Sequence, residues 1–219
     1  IEKGYDLFFL FHKRNFFKYL PVDKSSSILV VSSGVGYFQY ALRQWGYFNV
    51  LGIDSSFERV EYALKKGFDS KCIDCFEYLE NIDEKYDLIF AEQEINHLTR
   101  DEFLTFLNLT FKALKTGGSL ILTAANCANP LISSEYLGNN IDHYTCFAEN
   151  NIKQYLSLAK FSEYMVFPHD FYVLWKNPLN YIAKGVTFFF HTFFRVVFIM
   201  YGKSNKIFTK RFGAVAYKY

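Results

Sequence analysis

The stretch ILVVSSGVGYFQYALRQWGYFNVLGID, residues 28–54, decides the fold. Its first four residues are apolar and mostly β-branched and stop at SSGVG, which predicts a buried strand and then a tight turn. YFQYALRQWG has helical periodicity and stops at Gly46, a typical C-terminal cap. VLGID reads as a second strand that ends on Asp54. The unit therefore predicts a strand–turn–helix–strand arrangement with glycines at one end of a sheet and an acid at the same end.

The rest of the chain repeats this alternation. Short apolar runs predict strands at 71–73, 86–92 and 119–125, and periodic segments predict helices at 58–67, 99–118 and 150–160. Such alternation favours an α/β fold, a doubly wound, mostly parallel sheet covered on both faces. Residues 127–148 show little periodicity and are predicted to be a loop. Further strands are predicted at 163–168 and 208–218, and we divide the chain into an N-terminal helix or lid at 1–24, a core at 25–170, a helical aromatic insertion at 171–207 and a closing strand at 208–219.

The glycine turn and the acid suggest a nucleoside site. Gly34 and Gly36 let the backbone bend and let a ligand approach, and amides at a helix start would face it. Asp54 follows Gly34 by 20 residues, where a carboxylate can accept hydrogen bonds from ribose hydroxyls. The alternative is a tight turn followed by a capping aspartate. One glycine loop would be weak evidence, but the loop, helix, strand and acid in order are stronger.

Five segments resemble class I S-adenosylmethionine-dependent methyltransferases. They are ILVVSSGVGYF, VLGIDSS, KCIDCFEYL, YDLIFAEQEINHL and ALKTGGSLILTAAN. The resemblance covers about residues 25–170 and implies a seven-stranded Rossmann-like sheet, S-adenosyl-L-methionine as cofactor and an antiparallel last strand. It places cofactor contacts at Ser32, Ser33, Gly34, Gly36, Asp54, Ser55, Asp74, Cys75 and Glu92.

The first motif departs from that pattern at two positions, and Asn96 stands where a later motif usually has an acid. Val30 stands where the family usually has an acid, and Ser32 stands where it has a glycine. The usual acid helps to position the methionine end of the cofactor, so a non-catalytic binding module with this fold is an alternative. A dinucleotide cofactor is disfavoured because SSGVGYFQY lacks the further glycine of the dinucleotide loop.

Residues after the fourth and fifth strands are the candidates for acceptor chemistry, because ligands of open parallel sheets lie beyond the carboxyl ends of the strands. LGNNIDHYTCFAENNIKQYLSLAKF resembles a pattern in methyltransferases of bacterial surface glycan pathways (O-antigen and capsule). The resemblance implies O-methylation of a sugar hydroxyl, with His143 as the general base, since histidine ordinarily titrates near neutral pH. His143 as a mere loop or capping residue is the alternative. We assign acceptor contacts to His97, Asn126, Asn140 and Tyr144, with a structural or cofactor-side role as the alternative for His97.

Charge and apolar character concentrate at the C-terminal end. The chain has a net charge of +2, yet no acidic residue follows Asp170, and eight basic residues do. Residues 179–201 are apolar and Phe-rich, with Lys184, His191 and Arg195 on one helical side. A helix in the membrane surface keeps those groups wet, whereas a packed insertion, a dimer interface and a spanning helix are alternatives. We expect a cytoplasmic protein, peripheral at the inner face of a membrane, and no nucleic-acid partner.

Four expectations remain. The acceptor is a glycan or a small molecule such as a prenylated ring, which suits the Phe-rich segment equally well. Four cysteines include one CxxC but no second pair at metal-ligand spacing, which favours reduced thiols and no metal site. The chain starts at Ile1 rather than Met, so we expect it to be trimmed or part of a longer polypeptide, and we predict no secretory leader. A homodimer is a separate expectation.

Overall fold

The computed structural model describes residues 2–83, 85–92, 94–139, 141–170 and 177–219. Seven strands form one sheet in the order β3-β2-β1-β4-β5-β7-β6. The strands are β1 Ile28–Val31, β2 Val50–Asp54, β3 Ser70–Cys72, β4 Tyr86–Ala91, β5 Leu114–Ala125, β6 Glu163–Pro168 and β7 Arg211–Tyr217. The helices are α1 Glu2–Asn15, α2 Tyr37–Gln44, α3 Phe57–Lys65, α4 Cys75–Glu80, α5 Arg100–Ala113, α6 Pro130–Gly138, α7 Glu149–Leu158 and α8 Leu179–Met200.

The sheet is parallel except at β7, which runs antiparallel to both β5 and β6. Successive residues of β1 point to opposite faces, as the two-residue period of a strand requires. Leu29 and Val31 join the apolar cluster under α4, α5 and α7, whereas Ile28 and Val30 join the cluster under α1 and α2. The doubly wound, mostly parallel sheet with a helix before the last strand is therefore confirmed.

Several local predictions are wrong. Residues 130–138 form α6 rather than loop: Asn129 caps the helix by accepting from the Leu131 amide and Pro130 starts it. Because α6 buries no residue, its sequence carries no periodic signal. The helix predicted at 99–118 ends at Ala113, and β5 begins at Leu114, paired with Tyr86 before a register shift.

The prediction of four reduced thiols is also wrong for one pair. Asn126 and Phe147 form an isolated β-bridge, and the Cys127 amide donates to the Phe147 carbonyl. This bridge sets Cys127 beside Cys146, with their Cα atoms 5.8 Å apart, and the two are joined as a disulfide. Cys72 and Cys75 of the CxxC are reduced thiols.

Candidate active site

The turn after β1 has the sharp geometry that its glycines predict. Gly34 and Gly36 have φ of 57° and 88°, and Ser32 also takes a positive φ of 51°. At Gly36 a Cβ atom would lie 2.6 Å from the Phe68 ring, so both the backbone angle and the space require glycine. Gly36 directly precedes α2, and the turn therefore presents the start of that helix to the sheet edge.

Asp54 ties the second strand to this turn. Its Oδ2 accepts from the Gly34 amide at 2.9 Å, and its Oδ1 accepts from the Ser56 amide at 2.9 Å. The residue is 5% exposed. Each carboxylate oxygen has a second lone pair, so Asp54 can hold the turn and still accept from ribose hydroxyls.

A cavity of about 330 Å³ opens beside the turn. Its size is at the lower end of the range for small-molecule sites. Of the predicted residues, Ser32, Ser33, Glu92 and His97 line it, and so do Phe8, Tyr37 and Arg59, which the sequence analysis did not identify. Ser33 Oγ is buried and has no partner within the described part of the chain. An unbonded hydroxyl beside a cavity and a glycine turn fits a ligand rich in polar groups.

Other predicted cofactor contacts do not line this cavity. Asp74 instead caps α4, where its Oδ1 accepts from the amides of Phe76 and Glu77. Cys75 is a buried residue of the core, and Ser55 is exposed beside Asp54. These three stay at the carboxyl edge of the sheet, next to β2 and β3, where the resemblance assigns the adenine end.

The first helix borders the cavity through Phe8. The Tyr5 hydroxyl donates to the Val35 carbonyl at 2.6 Å, and the Phe8 ring stacks on Tyr37 with ring centres 4.5 Å apart. His12 Nε2 lies 2.9 Å from Glu92 Oε2. These contacts join α1 to the turn, to α2 and to the end of β4; the lid role of this helix stays a prediction.

Glu92 belongs to a buried polar cluster with His12, His169 and Arg211. Burial raises the pKa of Glu92, but the three neighbouring basic groups outweigh it, and the pKa lies below its ordinary value. Burial lowers the pKa of His169 to about 4. The side chain of Glu92 is 17% exposed, so an ionised carboxylate reaches the cavity wall.

The predicted base stands close to the other histidine of the site. The rings of His97 and His143 are edge to face with centres 4.8 Å apart. His143 Nδ1 lies 3.0 Å from the Tyr136 carbonyl, and the ring stacks on Tyr136. Because a carbonyl can only accept, Nδ1 carries the proton and Nε2 offers a lone pair. The same reasoning applies to His97, whose Nδ1 lies 3.1 Å from the Asp142 carbonyl.

These two histidines and Asp142 could also hold a divalent cation. One possible ligand atom from each lies within 4.8 Å of the others. No spacing in the sequence indicates this cluster, because 45 residues separate His97 from Asp142. Imidazole and carboxylate are ordinary ligands for first-row transition metals.

Asn96 and Asn126 are buried beside the site and hold its loops in place by hydrogen bonds. Asn96 donates to the Thr145 carbonyl and accepts from the Ala125 amide, joining β5 to the loop that carries His143. Asn126 donates to the carbonyls of Ile207 and Thr209 and accepts from the Ala128 amide, with no exposed surface. Asn126 is therefore a structural residue, and its predicted acceptor contact is revised.

Two predicted acceptor residues remain. Tyr144 is 65% exposed, and its amide donates to the Asn96 carbonyl. Its acceptor contact stays a prediction. Asn140 lies outside the described residues.

Comparison with known proteins agrees with this geometry. Residues 28–118 match a family described as a methyltransferase domain. A methyltransferase from Archaeoglobus fulgidus that depends on S-adenosylmethionine superposes with a TM-score of 0.72 at 17% identity, covering 98% of this chain and 94% of that one. Residues 28–118 are therefore a methyltransferase domain with the class I fold, and the glycine turn and Asp54 lie within it, as a site for S-adenosyl-L-methionine requires.

Two further relatives act on phosphoethanolamine. Phosphoethanolamine N-methyltransferase 1 of Triticum aestivum is 30% identical over 130 residues, 56% of this chain, and the chain spans a quarter of that enzyme's length. Phosphoethanolamine N-methyltransferase 2 of Haemonchus contortus, solved with S-adenosyl-L-methionine, has a TM-score of 0.62 at 16% identity, covering all of this chain and 57% of that one.

Proposed function

We propose that this protein transfers a methyl group from S-adenosyl-L-methionine to a sugar hydroxyl of a bacterial surface polysaccharide or of a lipid-linked glycan. The cofactor supplies an electrophilic methyl group on a sulfonium. The turn at Ser32–Gly36 and Asp54 would hold the adenosyl part, and Ser33 and Glu92 would contact the rest. The observation that carries the hydroxyl assignment is the hydrogen bond from His143 Nδ1 to the Tyr136 carbonyl, which puts the basic lone pair of the ring on Nε2.

The chain's part in the step is alignment and proton removal. A bound S-adenosyl-L-methionine would supply the methyl group to the acceptor oxygen, and His143 Nε2 would take the hydroxyl proton. The products are a methyl ether, S-adenosylhomocysteine and an imidazolium that returns its proton to water. Positioning supplies most of the rate in such a displacement, and a positioned base adds to it.

The cavity wall beyond the residues assigned to the cofactor supports a polar acceptor. Arg59 lines the cavity beside the aromatic rings of Phe8 and Tyr37. Aromatic faces with a few charged groups suit sugar rings, whose C–H faces are apolar and whose hydroxyls need partners.

A phosphorylated amine is the second candidate acceptor, favoured by the 30% identity to the wheat enzyme. An amine would lose its proton before or after transfer, and an ionised Glu92 could face a cationic acceptor. A prenylated ring as the methyl acceptor is a further alternative, and so is a non-catalytic module that binds a protein partner.

The test is to incubate the protein with labelled S-adenosyl-L-methionine and, separately, lipid-linked oligosaccharides, phosphoethanolamine and a prenylated phenol. Label in the glycan as an alkali-stable methyl ether supports the proposal. Label in phosphoethanolamine or in the phenol with none in the glycan overturns the sugar assignment. Binding of S-adenosylhomocysteine without transfer to any acceptor supports the non-catalytic alternative.

A further inference from the structure

Helix α8 carries an apolar face that no described residue covers. Seven side chains at spacings of three and four residues form this outer ridge: Leu179, Ile182, Val186, Phe189, Phe193, Val196 and Met200. Each is between 49% and 80% exposed. Such spacing places all seven on one side of a helix, and exposed apolar surface of this extent marks an interaction site.

The opposite side of α8 packs against the protein and has polar and charged residues along its edges. Asn180, Thr187, His191, Phe194 and Phe198 are half-buried, and the rings of Phe194 and Phe198 contact Phe208. At about 3.6 residues per turn, Lys184 and Arg195 flank this packed side. The helix is therefore amphipathic, with its apolar face directed away from the domain.

A second copy of the chain fits this ridge poorly. A helical dimer seam is narrow and is flanked by charged positions that pair across the interface. Here the positions beside the ridge are uncharged, for example Phe190, Val197 and Ile199. No acidic residue follows Asp170, and eight basic residues do, so two copies would bring like charges together.

An anionic lipid surface matches both properties. A helix in the headgroup plane buries an apolar face and keeps basic residues wet. Lys184 and Arg195 lie on the side of α8 away from the ridge and would stay wet, and Lys203, Lys206 and Lys210, which follow the helix directly, would reach lipid phosphates. Each basic group near an anionic leaflet strengthens binding.

A single crossing of the membrane conflicts with the sheet. Helix α8 is the one helix of the described residues that is long and apolar enough to cross a bilayer. Yet it joins β6 to β7, which pair with each other from Glu163–Tyr217 to Pro168–Phe212. If α8 crossed the bilayer once, residues 171–178 or 201–210 would have to cross back. Both connections are too short, because a spanning helix needs about 20 residues.

The register of the sheet places α8 beside the candidate active site. Arg211, the first residue of β7, pairs with Ala125 at the carboxyl end of β5, and Pro168, the last residue of β6, pairs with Phe212. Both connections to α8 therefore leave from the edge that carries the glycine turn and the histidines. We propose that α8 lies in the surface of an anionic bilayer and holds the acceptor side of the active site at the membrane; the second half of this inference rests on the proposed function.

The test is flotation of the full chain with vesicles of phosphatidylcholine alone or mixed equally with phosphatidylglycerol. We expect binding to the mixed vesicles that weakens with salt and with removal of the anionic lipid. Neutralising two cations of the segment after α8 by Lys203→Gln with Lys210→Gln is expected to lower the partition coefficient about thirtyfold, from the usual contribution of each basic group. Lys13→Gln, an exposed cation on α1, is the matched control.

The ridge is tested by Phe189→Ser with Phe193→Ser, and Phe48→Ser, 78% exposed on the core, is the control. We expect flotation to fail in the double variant only, while S-adenosylhomocysteine binding persists in all variants. Flotation that is the same for the wild type and the Phe189→Ser/Phe193→Ser variant, and the same with and without anionic lipid, overturns the proposal. The proposal is also overturned if the wild-type chain does not bind vesicles and sediments as a dimer while the ridge variant sediments as a monomer. Because flotation needs no methyl acceptor, its result is independent of the proposed reaction.

Discussion

The carboxylate of Asp54 and the amide of Gly34, 20 residues apart, are 2.9 Å from each other and join the end of β2 to the turn after β1. This contact fixes the turn before any ligand arrives. A preformed turn lowers the ordering cost of binding, so residues that keep its shape should affect both stability and cofactor affinity.

Replacing Gly36 by alanine tests the shape of the turn. The new Cβ would sit 2.6 Å from Phe68 at a φ of 88°. Gly46→Ala is the matched control, because its φ is 87° but nothing lies within 4 Å. We expect Gly46→Ala to cost about 1–2 kcal/mol of unfolding free energy from backbone strain. Gly36→Ala should cost about 1–3 kcal/mol more from overpacking, measured by urea denaturation. Equal costs would contradict the close packing of Gly36 on Phe68.

Asn96 is expected to be needed as an amide. It donates to the Thr145 carbonyl and accepts from the Ala125 amide while fully buried. Asn96→Asp removes the donor and buries a charge, so we expect a loss of about 2–4 kcal/mol in unfolding free energy. Asn139→Asp, at an exposed amide, is the control and should change stability little. If the melting curve of Asn96→Asp is identical to that of the wild type, the role assigned to this amide is contradicted.

His143→Gln tests the proposed base. With a methyl acceptor identified, kcat should fall by between about a hundredfold and ten-thousandfold. The affinity for S-adenosylhomocysteine should stay unchanged, because His143 is assigned to the acceptor side. A fall in affinity with unchanged kcat would instead make His143 a cofactor-side residue.

Chelation distinguishes a base from a metal ligand at the same histidine. Nε2 of His143 cannot bind a metal and take a proton at once. We therefore expect activity to survive EDTA and dialysis. Activity that is lost with EDTA and restored by Mn²⁺ or Zn²⁺ would assign His97, Asp142 and His143 to a metal site instead.

Acid should destabilise the protein through His169. Burial lowers its pKa from 6.5 to about 4, so between those values the unfolded chain binds a proton that the folded chain does not. Stability is therefore full above pH 6.5 and falls as the pH is lowered through this window. The slope should approach 1.4 kcal/mol per pH unit, roughly 3 kcal/mol in all. His169→Gln should flatten the curve in urea titrations, and identical slopes would contradict the burial of a neutral imidazole.

The first half of the fold can be predicted because its signals are local. Ile28–Val31, the glycine turn, α2 and Asp54 each have the periodicity or residue type that their structure requires. The same holds for the capped helix α5, whose Thr99 and Glu102 form a capping box.

What the sequence did not reveal depends on contacts between distant residues. His12 and Glu92 are 80 residues apart, and Asn126 is bonded to carbonyls more than 80 residues away. No spacing rule connects such pairs. The disulfide likewise follows from the bridge between Asn126 and Phe147. Helix α6 was missed because it packs no apolar face, so its sequence has no period to detect.

Calorimetry with S-adenosylhomocysteine tests the cofactor site most directly. The wild-type chain should bind one equivalent with a micromolar Kd. Asp54→Ala should abolish binding, whereas Asp83→Ala, at a carboxylate 70% exposed and paired with Lys112, should bind like the wild type. A wild-type chain that binds nothing, or an Asp54→Ala variant that binds with unchanged affinity, would contradict the site.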